Sequence, residues 1–176
     1  MIPTKTIPRK SPFDNNLSGL KHLTGCEIGV FNGDHALSMF QNLDIEMLYL
    51  VDPYKVYEGF FGMDDQNILD TALKTAKEGL EPYSDRLYWF HGQAKFAVRA
   101  LDDSSLDFVY HDGDHKYEVV IQDLREWDKK VKVGGLIGGH DFTHKKPGVI
   151  KAVNEYVKEN SYKLFMEKTD WWLWKK

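Results

Sequence analysis

Two short stretches concentrate side chains that could do chemistry, "HDGDHKY" at 111–117 and "GGHDFTH" at 138–144. Four of the seven histidines fall in them, together with Asp112, Asp114 and Asp141. Each stretch follows an apolar run that reads as a strand. Asp112 and Asp141 therefore stand at the ends of strands that, if adjacent and parallel, lie roughly 4.8 Å apart. Two carboxylates converging in one crevice are costly without a cation or a shared proton. A hard divalent ion that keeps some of its waters is their natural partner, which makes Asp112, His140 and Asp141 candidate ligands; solvated turn acids are the alternative. His115 lies three residues beyond Asp112, at a helix start, and an imidazole with an ordinary pKa near 6.5 suits a general base. Asp114 is the competing base. His111, on the strand's last turn, reads as a packing residue, and His35 and His144 as helix-start or surface-loop residues.

A third stretch, "EIGVFNGDHA" at 27–36, places Glu27, Gly29, Asn32 and Gly33 between a strand and a helix. A glycine there lets backbone approach a ligand closely, and the helix that follows offers free N–H groups. The spacing is E-x-G-x-x-x-G and lacks the tight G-x-G-x-x-G pyrophosphate turn. By itself the pair of glycines is equally a structural turn. Asp52 ends the next strand, 19 residues after Gly33. An acid in that place can accept from both ribose hydroxyls of a nucleoside; a helix cap or loop acid is the other reading. Gly92 and Gln93 end the third strand and could frame an adenine edge.

The elements that must position these residues follow from periodicity. Short apolar runs, "CEIGV", "MLYLVD", "RLYWFHG", "LDFVYHDG" and "GGLIGGHDF", read as five strands. Amphipathic stretches separate them. One carries Leu69, Ala72, Leu73, Ala76 and Leu80 on one face and stops at Pro82, and another carries Ala94, Ala97, Val98 and Leu101. A third puts Tyr117, Val120, Ile121, Leu124, Trp127 and Val131 on one stripe, and Pro147 opens the helix after the fifth strand. The tail reads as two strands about a turn near Thr169 and Asp170. The expected fold class is α/β, a doubly wound, mostly parallel seven-stranded sheet with helices on both faces and an antiparallel C-terminal pair. Ligands bind such sheets outside the carboxyl ends of the strands, where the candidate residues stand.

At 176 residues the chain is expected to form a single domain, with 1–24 as an N-terminal arm or short cap. The net charge of −4 and the absence of a long basic run suggest no nucleic-acid partner. No apolar run approaches 18 residues, so no membrane span or signal peptide is expected, and the expected location is cytoplasmic. Cys26, inside an apolar run, is expected to be a buried, inert thiol. The cluster of Trp171, Trp172 and Trp174 is expected to pack in part on the last helices and in part to form a contact in a homo-oligomer.

Taken together, "EIGVFNGDHA…VD…DFVYHDGDHKYEVVIQDLREW…GGLIGGHDF…GVIKAVNEY" resembles class I S-adenosylmethionine-dependent methyltransferases. More narrowly it is similar to the small O-methyltransferase group with D-G-x-H-x-Y, an Asp later in the helix, then G-G-x-I-x-G-H-D. The likeness spans about residues 25–160. It implies a Rossmann-like methyltransferase fold and transfer of a methyl group to a hydroxyl of a small acceptor, sugar-like or phenolic. Glu27, Gly29, Asn32 and Gly33 would then cradle the methionine part of the cofactor. Asp52 would hold its ribose, Gly92 and Gln93 would meet its adenine, and Asp112 would lie beside it. By the same likeness Asp112 is a metal-binding Asp, with Mg2+ or another divalent cation assisting, and His115 or Asp114 is the base. Metal-dependent relatives tend to carry Asp-Asn or Glu-Asp where this chain has His140-Asp141. The acceptor pocket would come from "YKVYEGFFGMDD", the N-terminal arm, the 143–147 loop or another subunit. Three rivals remain: a metallohydrolase built on 111–115 and 140–141, a non-catalytic nucleoside-binding module, and a nicotinamide-dependent dehydrogenase, which the missing G-x-G-x-x-G disfavours.

Overall fold

The computed structural model describes residues 5–56 and 65–176. Five strands run parallel: β1 (Leu23–Ile28), β2 (Ile45–Val51), β3 (Leu87–Phe90), β4 (Leu106–His111) and β5 (Val131–Gly139). Between them lie α1 (Asp34–Asn42), α2 (Gln66–Leu80), α3 (Ala94–Ala97) and α4 (Tyr117–Asp128), and α5 (Pro147–Asn160) follows β5. Two short strands, β6 (Phe165–Glu167) and β7 (Asp170–Trp174), close the chain. The sheet order is β3-β2-β1-β4-β5-β7-β6, with β7 antiparallel to both neighbours. The chain leaves β1 toward one edge and returns at β4 to build the other. That reversal opens a crevice at the carboxyl ends of β1 and β4.

Strand alternation sorts the core into two layers. Cys26, Val109 and Ile137 point to one face, where Ile121, Leu124 and Trp127 of α4 and Val153 of α5 cover them. Phe108, Tyr110 and Leu136 point to the other, beneath Met39 of α1 and Leu80 of α2. Phe13 and Leu17, ahead of β1, belong to this second layer. Phe13 is fully buried, edge-on to Phe108 and Tyr110, and Leu17, in a short 3-10 turn (Asp14–Leu17), lies beside it. Gly138 makes the room, since a Cβ there would stand 2.6 Å from the Phe13 ring.

Several expected boundaries shift. β1 begins at Leu23 and ends at Ile28, because the chain turns at Gly29. Val131, expected on the α4 stripe, starts β5 and pairs with Leu106; α4 stops at Asp128. The helix expected through Leu101 is one α turn, continued as a 3-10 turn over Val98–Ala100. Trp171 is buried and Trp174 is partly exposed, 38%, on alternate faces of β7. Cys26 is buried, as expected, and burial pushes its thiol up. Among the described residues no helix is long and apolar enough to cross a membrane.

Candidate functional site

The chain turns out of β1 at Gly29 in the left-handed region, φ +87°. A Cβ there would lie 2.1 Å from the Asp112 carbonyl oxygen, so no other residue permits this approach of β1 and β4. Above the turn opens a cavity of about 660 Å³. Glu27, Gly29, Asn32, Asp52, Gln93 and Asp112 are among the residues that line it. Asp52 fixes the turn from β2, accepting from the Val30 and Phe31 N–H groups at 3.0 Å each and from Tyr54 N–H at 2.8 Å. A carboxylate has about four acceptor positions, so roughly one remains for a ligand hydroxyl. Burial pushes the Asp52 carboxyl up, against those three hydrogen bonds. Phe31 and Tyr54, joined by the Tyr54 hydroxyl donating to the Phe31 carbonyl, both take positive φ without being glycine. Strain of this kind persists where the surroundings over-determine it, as at ligand sites.

Glu27 is 1% exposed and belongs to a buried triad. His35 Nδ1 lies 3.0 Å from Glu27 Oε1, and His35 Nε2 lies 3.0 Å from Asp14 Oδ1. Burial works against the imidazolium, but hydrogen bonds to Asp14 and Glu27 outweigh it and raise the His35 pKa to about 9. Burial raises the Glu27 carboxyl, and His35 opposes that. Glu27 Oε2 is buried without a hydrogen-bond partner among the described residues. An orphaned acceptor in a cavity wall is suited to a cationic or N–H-bearing ligand group. His35 stands at the start of α1, as the sequence suggests, but it is buried and is the hub that holds Glu27 in place.

The two histidine-rich stretches do converge. One ligand atom from each of Asp112, His140 and Asp141 lies within 4.8 Å of the others. His115 Nε2 is 2.6 Å from Asp141 Oδ2, and His140 Nδ1 is 3.3 Å from Asp141 Oδ1. These two contacts hold the Asp141 carboxyl well below the usual carboxylate range and outweigh burial. The same contact raises the His140 pKa. Asp141 adopts φ +60°, a third strained residue at the crevice. Lys146, from the loop before α5, approaches His115 Nδ1 at 3.1 Å. An ammonium can only donate, so Nδ1 accepts, and Nε2 carries the hydrogen directed to Asp141. Asp112 Oδ2 pairs with Arg9 of the N-terminal arm at 2.6 Å. Burial and nearby Asp141 push the Asp112 carboxyl up, while Arg9 and His140 push it down.

The donor types here, two carboxylates and an imidazole, suit a divalent ion, but their arrangement does not. Asp112 Oδ2 is taken by Arg9, both Asp141 oxygens face imidazoles, and the His140 nitrogen nearest Asp112 is the one that faces Asp141. Bringing a dication among these partners would set it against the Arg9 guanidinium.

Of the expected residues, Glu27, Gly29, Asn32, Asp52, Gly92, Gln93, Asp112, Asp114, His115 and Asp141 all border the one cavity. His140 lies just behind it, with Nε2 2.8 Å from Thr169 Oγ1. Gly33 does not border it: at φ +80° it starts α1 and faces Ala76 of α2, 3.2 Å from where its Cβ would be. The Asn32 amide is turned to Asp34, at 2.9 Å. Asp114 accepts from the Lys116 N–H at 2.7 Å. His111 is buried and neutral, its pKa lowered by burial to about 3, and stacks on Trp171. His144 is exposed. Of "YKVYEGFFGMDD", residues 57–64 lie outside the described residues, whereas Lys55 borders the cavity. Sequence reasoning missed Arg9, the Asp14–His35–Glu27 triad and Lys146, and it noted the Asp of α4 within the motif without giving it a role. Asp123 is a buried cavity-wall acid of α4 whose pKa burial, aided by Asp114, raises to about 7. In the sequence it is the Asp that follows D-G-x-H-x-Y later in the helix.

Residues 26–142 match the family model of a methyltransferase domain. A curated relative, an uncharacterized protein of Acanthamoeba polyphaga mimivirus, is 30% identical over 137 residues, 77% of this chain. The match spans 59% of that relative's length. Among solved structures, a proposed methyltransferase from Streptococcus mutans in complex with SAH superposes with TM-score 0.69 at 12% identity, covering 96% of this chain and 99% of that one. A precorrin-6Y C5,15-methyltransferase from Geobacter metallireducens gives 0.68 at 11%, with all of both chains covered. A proposed O-methyltransferase from Klebsiella pneumoniae gives 0.63 at 15%, covering 87% and 73%. At such identities the structures establish the shared fold.

Proposed function

We propose, on the premise that this chain belongs to the methyltransferase domain family, that it methylates a hydroxyl of a small sugar-like or phenolic acceptor with S-adenosylmethionine. The observation that carries the cofactor is the cradle at the end of β1. There Gly29 excludes any Cβ, and Glu27, whose buried Oε2 has no partner among the described residues, borders the same cavity. Glu27 suits the ammonium of an amino-acid head, Asp52 a ribose hydroxyl, and Gly92 with Gln93 an adenine edge. The neighbour from Streptococcus mutans, in complex with SAH, supports the same choice.

When bound, the cofactor supplies a methyl group on a sulfonium; its transfer forms an O–C bond, breaks a C–S bond and leaves a neutral thioether and one proton. This chain's residues need to hold the acceptor oxygen in line, exclude water and take the proton. His115 is the proposed proton acceptor, oriented by Asp141 at 2.6 Å. The ring takes the proton at Nδ1, so Lys146 must yield that position. Asp114 is the alternative acceptor. We take the acceptor to be a small molecule, with no nucleic-acid or membrane partner.

Divalent-ion assistance through Asp112, His140 and Asp141 is the second reading, favoured by their convergence within 4.8 Å. The pairing of each ligand atom weighs against it.

Thermal melting with S-adenosylhomocysteine tests the proposal. At 100 times Kd the ligand stabilises by about 2.7 kcal/mol, a rise in Tm of roughly 5–10 °C for a chain of this length. No shift at millimolar ligand would refute the cofactor assignment. A shift without transfer to any sugar or phenol acceptor would favour a nucleoside-binding module.

A further inference from the structure

The positive charge nearest Asp112 comes from outside the segment that the family model matches. Arg9 precedes residue 26, yet its guanidinium lies 2.6 Å from Asp112 Oδ2 and borders the cavity. From Thr6 onward the arm that delivers it is fastened on both sides of Arg9. Thr6 Oγ1 donates to the Thr75 carbonyl at 2.9 Å, Ile7 N–H to Asp34 Oδ1 at 2.6 Å, and Arg9 N–H to the Asp34 carbonyl at 2.9 Å. Beyond Arg9, Ser11 Oγ donates to Asp170, Phe13 is fully buried, and Asp14 meets His35. Anchors on both sides of Arg9 make it a resident of the crevice rather than a loose tail.

We propose that Arg9 is the built-in cation of this site: it holds, against Asp112, the place a divalent ion would otherwise take, and the site works without metal. The charges close on that reading. Asp112 and Asp141 are the two convergent carboxylates; Arg9 offsets the first, and His140 with His115 faces the second. A guanidinium carries five N–H donors, and the described residues take one through the Asp112 contact, which leaves donors for an acceptor oxygen. A fixed cation beside the reacting oxygen favours its alkoxide or phenoxide form, as a bound metal would. Arg9 is thus assigned as a positioning residue for Asp112 and a charge source for the acceptor. The inference rests on the methyl-transfer reading for the use of that charge, but not for the shared seat.

Manganese titration separates the two. Full-length wild type, Arg9→Ala and Arg9→Ala/Asp112→Asn are each titrated with Mn2+ by calorimetry and electron paramagnetic resonance, without cofactor, after thermal melting has established that each is folded. Removing a unit charge a few ångströms from the seat should tighten Mn2+ binding by roughly tenfold or more. Arg9→Ala gains one Mn2+ site that wild type lacks at the same concentration, and the double variant loses it. Arg9→Lys, which keeps the charge, stays like wild type. Stoichiometric Mn2+ binding by wild type as tight as by Arg9→Ala would overturn the proposal, and so would a folded Arg9→Ala that gains no site. Transfer by wild type should survive chelator treatment; its abolition, restored by Mn2+ or Mg2+, would also overturn it. Failure of S-adenosylhomocysteine to bind, with the manganese result intact, would instead sink the methyltransferase reading alone.

Discussion

At the residue scale the site is built from pairs in which one partner is easy to recognise and the other is not. Asp112, His115 and Asp141 stand directly after apolar runs, where residue type and place declare them. Arg9, Lys146 and the Asp14–His35 end of the buried triad lie in unremarkable local sequence. Only their long-range contacts, 103 residues apart for Arg9 and Asp112, give them a role. His115 and Asp141 make the tightest contact of the candidate base. Replacing His115 by alanine should lower kcat by roughly 100-fold or more, as expected for loss of a general base. Affinity for S-adenosylhomocysteine, measured by calorimetry, should stay within about twofold, since His35 and the backbone after β1, not His115, hold Glu27 and Asp52 in place. Wild-type turnover in that variant would pass the role to Asp114.

At the element scale the N-terminal arm is the element whose importance the sequence conceals. Polar and proline-punctuated, it reads as an arm or short cap, yet its Phe13 fills a gap that Gly138 leaves in β5. Phe13→Ala should destabilise the fold by about 3–5 kcal/mol, as for a buried phenylalanine elsewhere. Chemical denaturation would measure this, and a change under about 1 kcal/mol would mean that the arm is detached in solution. The same variant should loosen Arg9 and move Mn2+ affinity toward that of Arg9→Ala, which links packing of the arm to charge in the crevice. The strands and the long helices α2, α4 and α5 were legible because their apolar periodicity is unbroken. Their ends were not, since the switch from α4 into β5 at Val131 depends on pairing with Leu106.

At the scale of the whole molecule, buried histidines of opposite habit shape stability against pH. His35 titrates at about 9 in the folded chain against 6.5 unfolded. A raised pKa contributes stability fully present below pH 6.5 and lost as pH rises through 9. His111, lowered to about 3 by burial, binds its proton more readily unfolded, so stability falls as pH drops from 6.5 toward 3. Asp141, held below its usual range, adds to that acid limb. Tm should therefore fall as pH rises from 6.5 through 9, and His35→Gln should flatten that alkaline limb. A wild-type Tm that does not fall across that alkaline window would disprove the charged triad. Asp123 opposes the His111 limb, because its carboxyl, raised from 3.8 to about 7, costs stability as pH rises from 3.8 through 7.

What the sequence determined by itself was the alternation of strand and helix, the parallel sheet this implies, and the acids and histidines that stand at its carboxyl edge. These are local matters, set by periods of two and 3.6 residues and by the types of residue that follow a strand. The tertiary structure decided which of those groups meet and what faces them. It turned Gly33 away from the cavity, buried His35 between two carboxylates, and set Arg9 in the cation position beside Asp112. Such pairings join residues from eight to 103 positions apart, and no periodicity encodes them. They follow from burial, which makes each unpartnered charge costly enough to select its neighbour.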